Sequence, residues 1–242
     1  MALIQVRNLH SSFDDTPVLR GVNLNVERGT TMVILGTSGA GKSVLLKNII
    51  GLMTPDAGSI RIDGKEIVRM NSKELNTIRR RMGYLFQSSA LYDSLSVRGN
   101  LEFSLRHLEK LGEDVINERA TSSLHLVGLE DAIDKMPSQL SGGMRKRIGL
   151  ARALVTRPEI MFYDEPTTGL DPLTGHDISY LIQTLEEQNE MTSIAVTHDI
   201  TCARIIADRV AILNKGVICF EGTVDEMENS NDEFVNQFFA AA

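Results

Sequence analysis

One glycine-rich stretch constrains the fold of this chain more than any other feature: Gly36-Thr-Ser-Gly-Ala-Gly-Lys-Ser43. It follows the apolar run 32–35, which is typical of a buried strand, and leads into the amphipathic run 44–52, which is typical of a helix. Its spacing fits Gly-x-x-x-x-Gly-Lys-Ser/Thr, the loop that wraps phosphates between a strand and a helix. Because both flanking elements are predicted, a glycine turn that matches by chance is the weaker interpretation.

Each residue type in this loop has a physical reason. Glycines let consecutive backbone N–H groups turn toward one anion, and the helix N-terminus behind them adds partial positive charge. Lys42 is long enough to reach the β- and γ-phosphates, and the Ser43 hydroxyl is a hard oxygen ligand for Mg²⁺. The sequence therefore predicts a nucleotide phosphate site at Gly36, Thr37, Ser38, Gly39, Ala40, Gly41, Lys42 and Ser43.

Two acids, Asp164 and Glu165, end a second apolar run at 160–163 that is typical of a buried strand. Mg²⁺ prefers hard oxygen ligands, so Asp164 can hold it directly or through water. Glu165 would then lie beside the γ-phosphate, where it can orient or deprotonate a water molecule. An isolated Asp-Glu pair would be a pair of solvated acids, but the phosphate loop upstream favours the functional interpretation.

A second anion site is indicated at Leu140-Ser-Gly-Gly-Met144, just before a basic helix. Ser141 could serve only as the N-cap of that helix. Ser141, Gly142 and Gly143 also present a hydroxyl and bare N–H groups at a helix N-terminus, which is a phosphate site in its own right. One chain with one phosphate loop has little need of two such sites. Two copies packed head to tail would use both on the same ATP.

Composition bounds the class of protein. The formal net charge of −7 disfavours a nucleic-acid-binding surface. The two cysteines, Cys202 and Cys219, lack metal-ligand spacing and fit a reducing cytosol. No apolar run approaches the roughly 20 residues that span a bilayer, and the N-terminal residues lack a signal-peptide pattern. We therefore expect any membrane role to depend on a partner.

The order of predicted elements favours an α/β fold in a single domain, 1–242. Strands alternate with helices along much of the chain, which implies a mainly parallel core sheet. Alternating runs at 3–10 and 18–26, joined by a turn at 13–17, predict an antiparallel β-subdomain. Helical patterns without strands predict an inserted α-helical subdomain over about 88–157. A C-terminal tail follows at about 223–242, within which residues 231–242 predict a weak helix.

Together these motifs resemble the nucleotide-binding subunit of ABC transporters, and the resemblance extends over nearly the whole chain. The Walker A motif matches at 36–43, the signature at 140–143 and the Walker B motif at 160–164. Four further positions match in the family's order: Gln87 in the Q-loop, Asp171 in the D-loop, the switch histidine His198, and Phe13 where an aromatic side chain stacks on adenine.

The resemblance implies a P-loop NTPase of the ABC type that binds ATP and Mg²⁺ and hydrolyses ATP. Glu165 would be the general base, His198 would contact the γ-phosphate, and Gln87 would sense Mg²⁺ and the attacking water. The signature residues would close on the γ-phosphate held by a second copy, and Asp171 would communicate between the two sites. Simpler interpretations stay open, in which Phe13 packs within a turn and Gln87 and Asp171 are surface polar groups. The implied Mg²⁺ ligands are Ser43, Gln87 and Asp164.

A narrower resemblance is to the Mla/Mce-type ATPases, which serve a lipid-moving permease linked to MCE-domain proteins. It is carried by the segments 41–52, 86–95, 140–144 and 167–172. The tail at 232–239 is similar to the C-terminal end of that group, which in some members packs on the partner ATPase. Two departures are mild: Val44 replaces the commoner Thr but should still offer its backbone N–H to a phosphate, and Tyr163 stands where an aliphatic residue is usual, so its hydroxyl needs a partner.

This resemblance also implies three partners: a second copy of the chain, an integral membrane permease that docks near Gln87 to Asn100, and an MCE-domain lipid-binding protein. Leu91, Tyr92 and Leu95 would form the apolar wall of the docking groove, although Leu95 fits a core position equally well. These partners would hold the chain at the cytoplasmic face of the inner membrane as a peripheral subunit.

Other classes of function stay in view. An ABC importer ATPase for a different solute is the nearest alternative to lipid transport. A soluble ABC-type ATPase that acts on DNA or ribosomes usually has two fused domains, long insertions or basic arms, none of which this sequence shows. A P-loop kinase leaves the Ser141-Gly-Gly motif unexplained. We therefore expect the ATP-hydrolysing motor of a transporter, with lipid as the favoured cargo and no nucleic-acid partner.

Overall fold

The computed structural model describes residues 2–108, 111–232 and 234–236. The strands in chain order are β1 (Ala2–Phe13), β2 (Thr16–Glu27), β3 (Thr31–Leu35), β4 (Ala57–Ile62), β5 (Lys65–Glu66), β6 (Met82–Leu85), β7 (Ile160–Asp164), β8 (Thr192–Thr197), β9 (Arg209–Asn214) and β10 (Val217–Gly222). The helices are α1 (Lys42–Ile49), α2 (Ser72–Arg79), α3 (Val97–Leu108), α4 (Glu113–Leu126), α5 (Gly142–Leu154), α6 (Pro172–Asn189), α7 (Ile200–Ile206) and α8 (Val224–Glu228), with 3₁₀ turns at Glu130–Ala132 and Pro137–Gln139.

The larger of the two sheets positions the site. Its strand order is β10-β9-β3-β8-β7-β6, and the neighbours from β9 to β6 pair in parallel. Every residue of β3, β7 and β8 is buried, as expected for parallel strands covered on both faces. Leu35 pairs with Thr197 and Asp164 with Val196, so the carboxyl ends of these strands lie side by side. The glycine-rich loop, the acid pair and His198 therefore meet at one edge of the sheet.

The smaller sheet has the order β2-β1-β4-β5 and is antiparallel. The turn predicted over 13–17 is shorter than expected, since β1 continues to Phe13 and β2 begins at Thr16. Only Asp14 and Asp15 form the turn, both with positive φ, which matches the twist of a tight hairpin. Pro17 lies within β2 because β2 is an edge strand, where a missing N–H does not interrupt a ladder.

Three helices, α3, α4 and α5, lie between β6 and β7, where the sequence predicts an insertion without strands. Leu101 and Leu105 of α3, Ile116 of α4 and Ile148 of α5 belong to one buried apolar cluster that also includes Tyr163 of β7. The apolar residues whose spacing predicts these helices therefore lie on the faces that the helices bury. The bounds 88–157 for this subdomain and the division of 1–242 as one domain stay predictions.

Helix α2 is absent from the sequence-based prediction. The Asn71 side chain accepts from the N–H groups of Lys73 and Glu74, and the Glu74 carboxylate accepts from the Asn71 N–H. This capping box is the signal that the sequence offers. Ile78 is the one fully buried residue of α2, so no apolar stripe marks the helix.

The tail is described only in part. Residues 234–236 are helical, and Val235 is buried in the main apolar cluster. The rest of the weak helix predicted at 231–242 falls largely on residue 233 and residues 237–242, which lie outside the described residues. Among the helices of the described ranges, none is both long enough and apolar enough to cross a membrane.

Candidate functional site

The glycine-rich loop leaves β3 and ends at the first turn of α1. Gly36 has no room for a side chain, because a Cβ there would lie 2.6 Å from the carbonyl oxygen of Leu213. Gly41 is the N-cap of α1 and has a φ of 104°, a conformation that favours glycine. The loop therefore takes this path only with glycine at both positions, which leaves its N–H groups bare at a helix N-terminus.

The ammonium of Lys42 is buried at the centre of the site. Its Nζ donates to the carbonyl oxygens of Gly36 at 2.7 Å and Thr37 at 3.3 Å, and it lies 3.1 Å from Oε1 of Glu165. These three acceptors use all three ammonium donors. Lys42 thereby joins the phosphate loop to the acid at the end of β7.

Ser43 and Asp164 form the candidate metal site. Ser43 Oγ donates to Oδ1 of Asp164 at 2.9 Å, and the Tyr84 hydroxyl donates to Oδ2 of Asp164 at 3.1 Å. A hydroxyl beside a carboxylate is a hard-oxygen donor pair of the kind that Mg²⁺ binds together with phosphate oxygens and water. Within the described residues, no group of three His, Cys, Asp or Glu side chains could hold a metal ion. The pair fits an ion that arrives with a nucleotide rather than one held in an all-protein cage.

Glu165 is held by more partners than any other side chain of the site. Its Oε2 lies 2.9 Å from His198 Nδ1 and accepts from the hydroxyls of Thr168 at 3.1 Å and Thr197 at 3.4 Å. Its backbone has a φ of 49°, in the left-handed region that non-glycine residues seldom adopt. Together with Lys42, these contacts fix the carboxylate. The structure thus brings three of the four predicted catalytic residues, Glu165, His198 and Lys42, into one cluster, while Gln87 lines the same cleft.

Lys146 is a buried residue of this site to which the sequence analysis assigns no role. Its side chain is only 3% exposed, and its Nζ donates to the carbonyl oxygens of Gln87 at 2.6 Å and Glu165 at 3.2 Å. Burial lowers the pKa of Lys146 to about 8, against the opposing attraction of Asp164 and Glu165. The available signal is helical spacing, since Lys146 shares a face with the buried residues Gly149, Leu150 and Ala153.

These groups open into a cleft of about 1540 Å³. Phe13 lies at its rim and is 59% exposed, a placement that suits a base-stacking side chain or a turn residue. Asp171 N-caps α6 by accepting from the N–H and the hydroxyl of Thr174, and these bonds lower the pKa of Asp171. The predicted site residues that line the cleft are Phe13, Thr37, Ser38, Gly39, Ala40, Gly41, Lys42, Ser43, Val44, Gln87, Glu165, Asp171 and His198.

The signature residues lie elsewhere. Ser141 is exposed and caps α5, its Oγ accepting from the N–H of Met144 at 3.2 Å. Ser141, Gly142 and Gly143 are not among the described residues that line the cleft. A Cβ on Gly143 would lie 2.7 Å from the Thr174 side chain, so this helix N-terminus adjoins the start of α6. A single chain therefore keeps the N-terminus of α5 outside the cleft that its own phosphate loop lines.

Comparison with known proteins gives the family. The ABC transporter family model matches residues 19–168. The chain is 41% identical over 236 residues to the intermembrane phospholipid transport system ATP-binding protein MlaF of Haemophilus influenzae, an alignment that covers 98% of this chain and 89% of that protein. It is also 41% identical over 235 residues to the probable ribonucleotide transport ATP-binding protein mkl of Mycobacterium leprae, with 97% and 68% covered.

A solved structure agrees with this grouping. The dimeric post-hydrolysis state of the ATP-binding cassette MJ0796, bound to ADP and Pi, superposes with a TM-score of 0.84 at 33% identity, and 91% of this chain and 98% of that one are covered. The chain belongs to the ABC transporter family. It is an ATP-binding cassette that hydrolyses ATP, and the α/β cassette fold predicted from the sequence is confirmed.

Proposed function

We propose that this chain is the ATP-hydrolysing motor of a phospholipid transporter and works as a head-to-tail pair beneath an integral membrane permease. The observation that carries the motor is Glu165, held between Lys42 and His198 at the mouth of the phosphate loop. The observation that favours phospholipid as cargo is the likeness to MlaF along nearly the whole of both chains.

Each residue of the site has a task in this proposal. Lys42 and the N–H groups of 36–44 bind the phosphates, with Val44 adding its backbone N–H. Glu165 accepts a proton from the attacking water, while His198 holds the carboxylate and contacts the γ-phosphate. Gln87 lies at the cleft and orients the same water. Ser43, Asp164 and Gln87 hold Mg²⁺, which when bound supplies the positive charge that the phosphates require.

The second copy completes the site. Ser141, Gly142 and Gly143 stand at the N-terminus of α5, outside their own cleft, where a partner's γ-phosphate can meet them. Asp171 lies close by, because its bonding partner Thr174 is the side chain that a Cβ on Gly143 would meet. This juxtaposition supports the role of Asp171 in communication between the two nucleotides. The MJ0796 cassette with ADP and Pi is likewise dimeric.

A permease would dock on the segment from Gln87 to Asn100. Tyr92 is 46% exposed, and its ring lies 4.8 Å from that of Phe103, which gives an aromatic surface. Asn100 is fully buried and bonds the main chain of Tyr92, Leu95 and Ser96, so it fixes the shape of this surface from inside. Leu91 and Leu95 are half-buried, with Leu91 packed on the core. Docking here would make the chain a peripheral subunit at the cytoplasmic face, joined through the permease to an MCE-domain protein.

A pull-down tests the proposal. The tagged chain is purified from native membranes in mild detergent, with an untagged strain as control, and bound proteins and lipids are identified by mass spectrometry. We expect a polytopic permease, an MCE-domain protein and phospholipid. A permease with a solute-binding protein or a ribonucleotide, the cargo in the name of mkl, would keep the motor and reject the lipid. Ribosomal or DNA-repair partners without a membrane protein would contradict transport itself.

A further inference from the structure

Helix α5 carries the signature at its N-terminus, and residues further along the helix form hydrogen bonds to the loop at 87–90. The guanidinium of Arg152 donates to the carbonyl oxygens of Ser89 at 3.0 Å and Ala90 at 2.5 Å. Six residues earlier along the helix, Lys146 donates to the carbonyl oxygen of Gln87. Two cations of one helix therefore hold three carbonyl groups of the loop at 87–90.

This loop needs support, because its backbone conformation is unusual. Ser89 and Ala90 have φ values of 62° and 45°, in the left-handed region that non-glycine residues avoid. The helix also touches the loop directly at Gly149, where an added Cβ would lie 3.0 Å from Cβ of Ser89. A displacement of α5 must therefore move the loop with it.

Lys146 has a further bond that Arg152 lacks. Its Nζ also donates to the carbonyl oxygen of Glu165, so one buried ammonium joins the main chain of two residues that face the same cleft. Replacement by an apolar side chain would leave both carbonyl groups without this donor. The bond to Glu165 spans from α5 to the end of β7, between the inserted helices and the core sheet.

From this geometry we infer that Lys146 is a positioning residue, which fixes Gln87 and Glu165 relative to α5. Through Lys146, contact between the signature residues of α5 and the partner's nucleotide would change the positions of both Gln87 and Glu165. The inference rests on the proposed roles of Gln87, Glu165 and Ser141 at ATP. When Ser141 of one copy meets the nucleotide of the other, the movement of α5 reaches Gln87 and Glu165 together through this ammonium.

The first test compares Lys146→Met with Arg147→Met in the complex purified from native membranes. Arg147 is a matched control, because it is the next residue of α5 and donates to the carbonyl oxygen of Val127, away from the cleft. We expect Lys146→Met to lower kcat about tenfold or more, with KM for ATP within about threefold of the wild type. Its effect should be less than multiplicative with that of Gln87→Ala. Equal kcat for the two methionine variants, or independent effects with Gln87→Ala, would overturn the inference.

A second measurement needs no turnover and covers the case in which Lys146→Met fails to fold. The chain contains no tryptophan, so Phe86→Trp places a single emitter beside Gln87. ATP should change the tryptophan emission of the Phe86→Trp chain, both alone and combined with Arg147→Met. The change should be much smaller when Phe86→Trp is combined with Lys146→Gln, because glutamine keeps a donor but is shorter and uncharged. An equal change with Lys146→Gln refutes the inference. ATP affinity, measured in parallel, distinguishes failure of this inference from failure of the proposed function. If the Phe86→Trp chain without a further substitution binds no ATP, the nucleotide site itself is refuted.

Discussion

Lys42 and Glu165 form a buried ion pair, with Nζ 3.1 Å from Oε1 and both side chains at least nine-tenths covered. In the proposed mechanism, the pair joins the residue that binds phosphate to the residue that takes the proton from water. Before nucleotide enters, each charge compensates the other in a setting where a lone charge would be costly. In the proposed mechanism, the phosphate competes with Glu165 for this ammonium, so nucleotide binding frees the carboxylate.

Glu165→Gln should retain ATP binding and lower hydrolysis at least about 100-fold, because the amide keeps the shape of the side chain but cannot accept the proton. Dimers should accumulate with ATP, as seen by light scattering after gel filtration. Glu159→Gln is the matched control, since this exposed acid precedes β7 and pairs with Arg81. A variant that stays monomeric under all conditions would count against the composite site.

Lys42→Ala should weaken ATP binding about tenfold or more, since a charge-assisted bond to phosphate is lost. It should also lower the free energy of unfolding by up to about 3 kcal/mol, because Glu165 loses its buried cation. Titration calorimetry and denaturant unfolding measure the two effects. Lys47→Ala, on the exposed face of the same helix α1, should change neither. Unaltered hydrolysis in Lys42→Ala would refute the phosphate-loop assignment.

Ser141→Arg should stop hydrolysis and leave ATP binding to the monomer intact, because in the proposed dimer the signature acts on the nucleotide of the partner. Mixing distinguishes action in trans from action in cis. A heterodimer of one Ser141→Arg chain and one Lys42→Ala chain keeps one site with an intact phosphate loop and an intact signature. We expect activity to return on mixing. Continued silence of the mixture, with heterodimers demonstrated, would contradict a site shared between copies.

Glu186 lies beside the start of β3, at the end of the sheet opposite the cleft, and it predicts that the stability of the fold depends on pH. It is nearly fully buried and accepts from the Thr31 hydroxyl at 2.5 Å, and burial raises its pKa from 4.5 to about 7. A raised carboxyl pKa means that the folded state binds the proton more tightly. This group therefore stabilises the fold most below pH 4.5, and the contribution declines as the pH rises toward 7, by about 3 kcal/mol in total.

Chemical unfolding at pH 5 and pH 8 measures this effect. Glu186→Gln should have a smaller loss of stability between the two pH values than the wild type. The exposed neighbour Glu187 is the control, and Glu187→Gln should follow the wild type. An identical pH dependence in all three chains would show that Glu186 has an ordinary pKa. Burial and the nearby charge of Glu186 also raise the pKa of Tyr163. The sequence predicts that the Tyr163 hydroxyl needs a partner, but within the described residues this buried hydroxyl makes no hydrogen bond.

Most of the site could be predicted because its residues are contiguous where strands end. Each group lies at the end of one strand: the glycine-rich loop directly after β3, the two acids at the end of β7 and His198 directly after β8. Parallel pairing then brings them together without further information. Glu165, His198 and residues 37–43 of the loop line one cleft, and their individual roles stay proposals.

Contacts between elements distant in the chain could not be predicted. The hydrogen bond from Tyr84 to Asp164 depends on the pairing of β6 with β7, and no local sequence pattern indicates that pairing. Lys146 stands in a run of basic residues that looks like a solvated helix face, and only the buried face of α5 reveals it. The short turn at Asp14 and Asp15 was obscured by Pro17, which an edge strand tolerates.

The left-handed backbone of Glu165 has a consequence for how this sequence can vary. Glycine or asparagine at position 165 would adopt a φ of 49° with less strain, but either would leave the buried ammonium of Lys42 without its carboxylate. Because an unpaired buried charge costs more than the strain, the ion pair holds the acid in this unfavourable backbone conformation. The two positions should therefore vary together, so a relative without an acid at position 165 should also lack the cation at position 42.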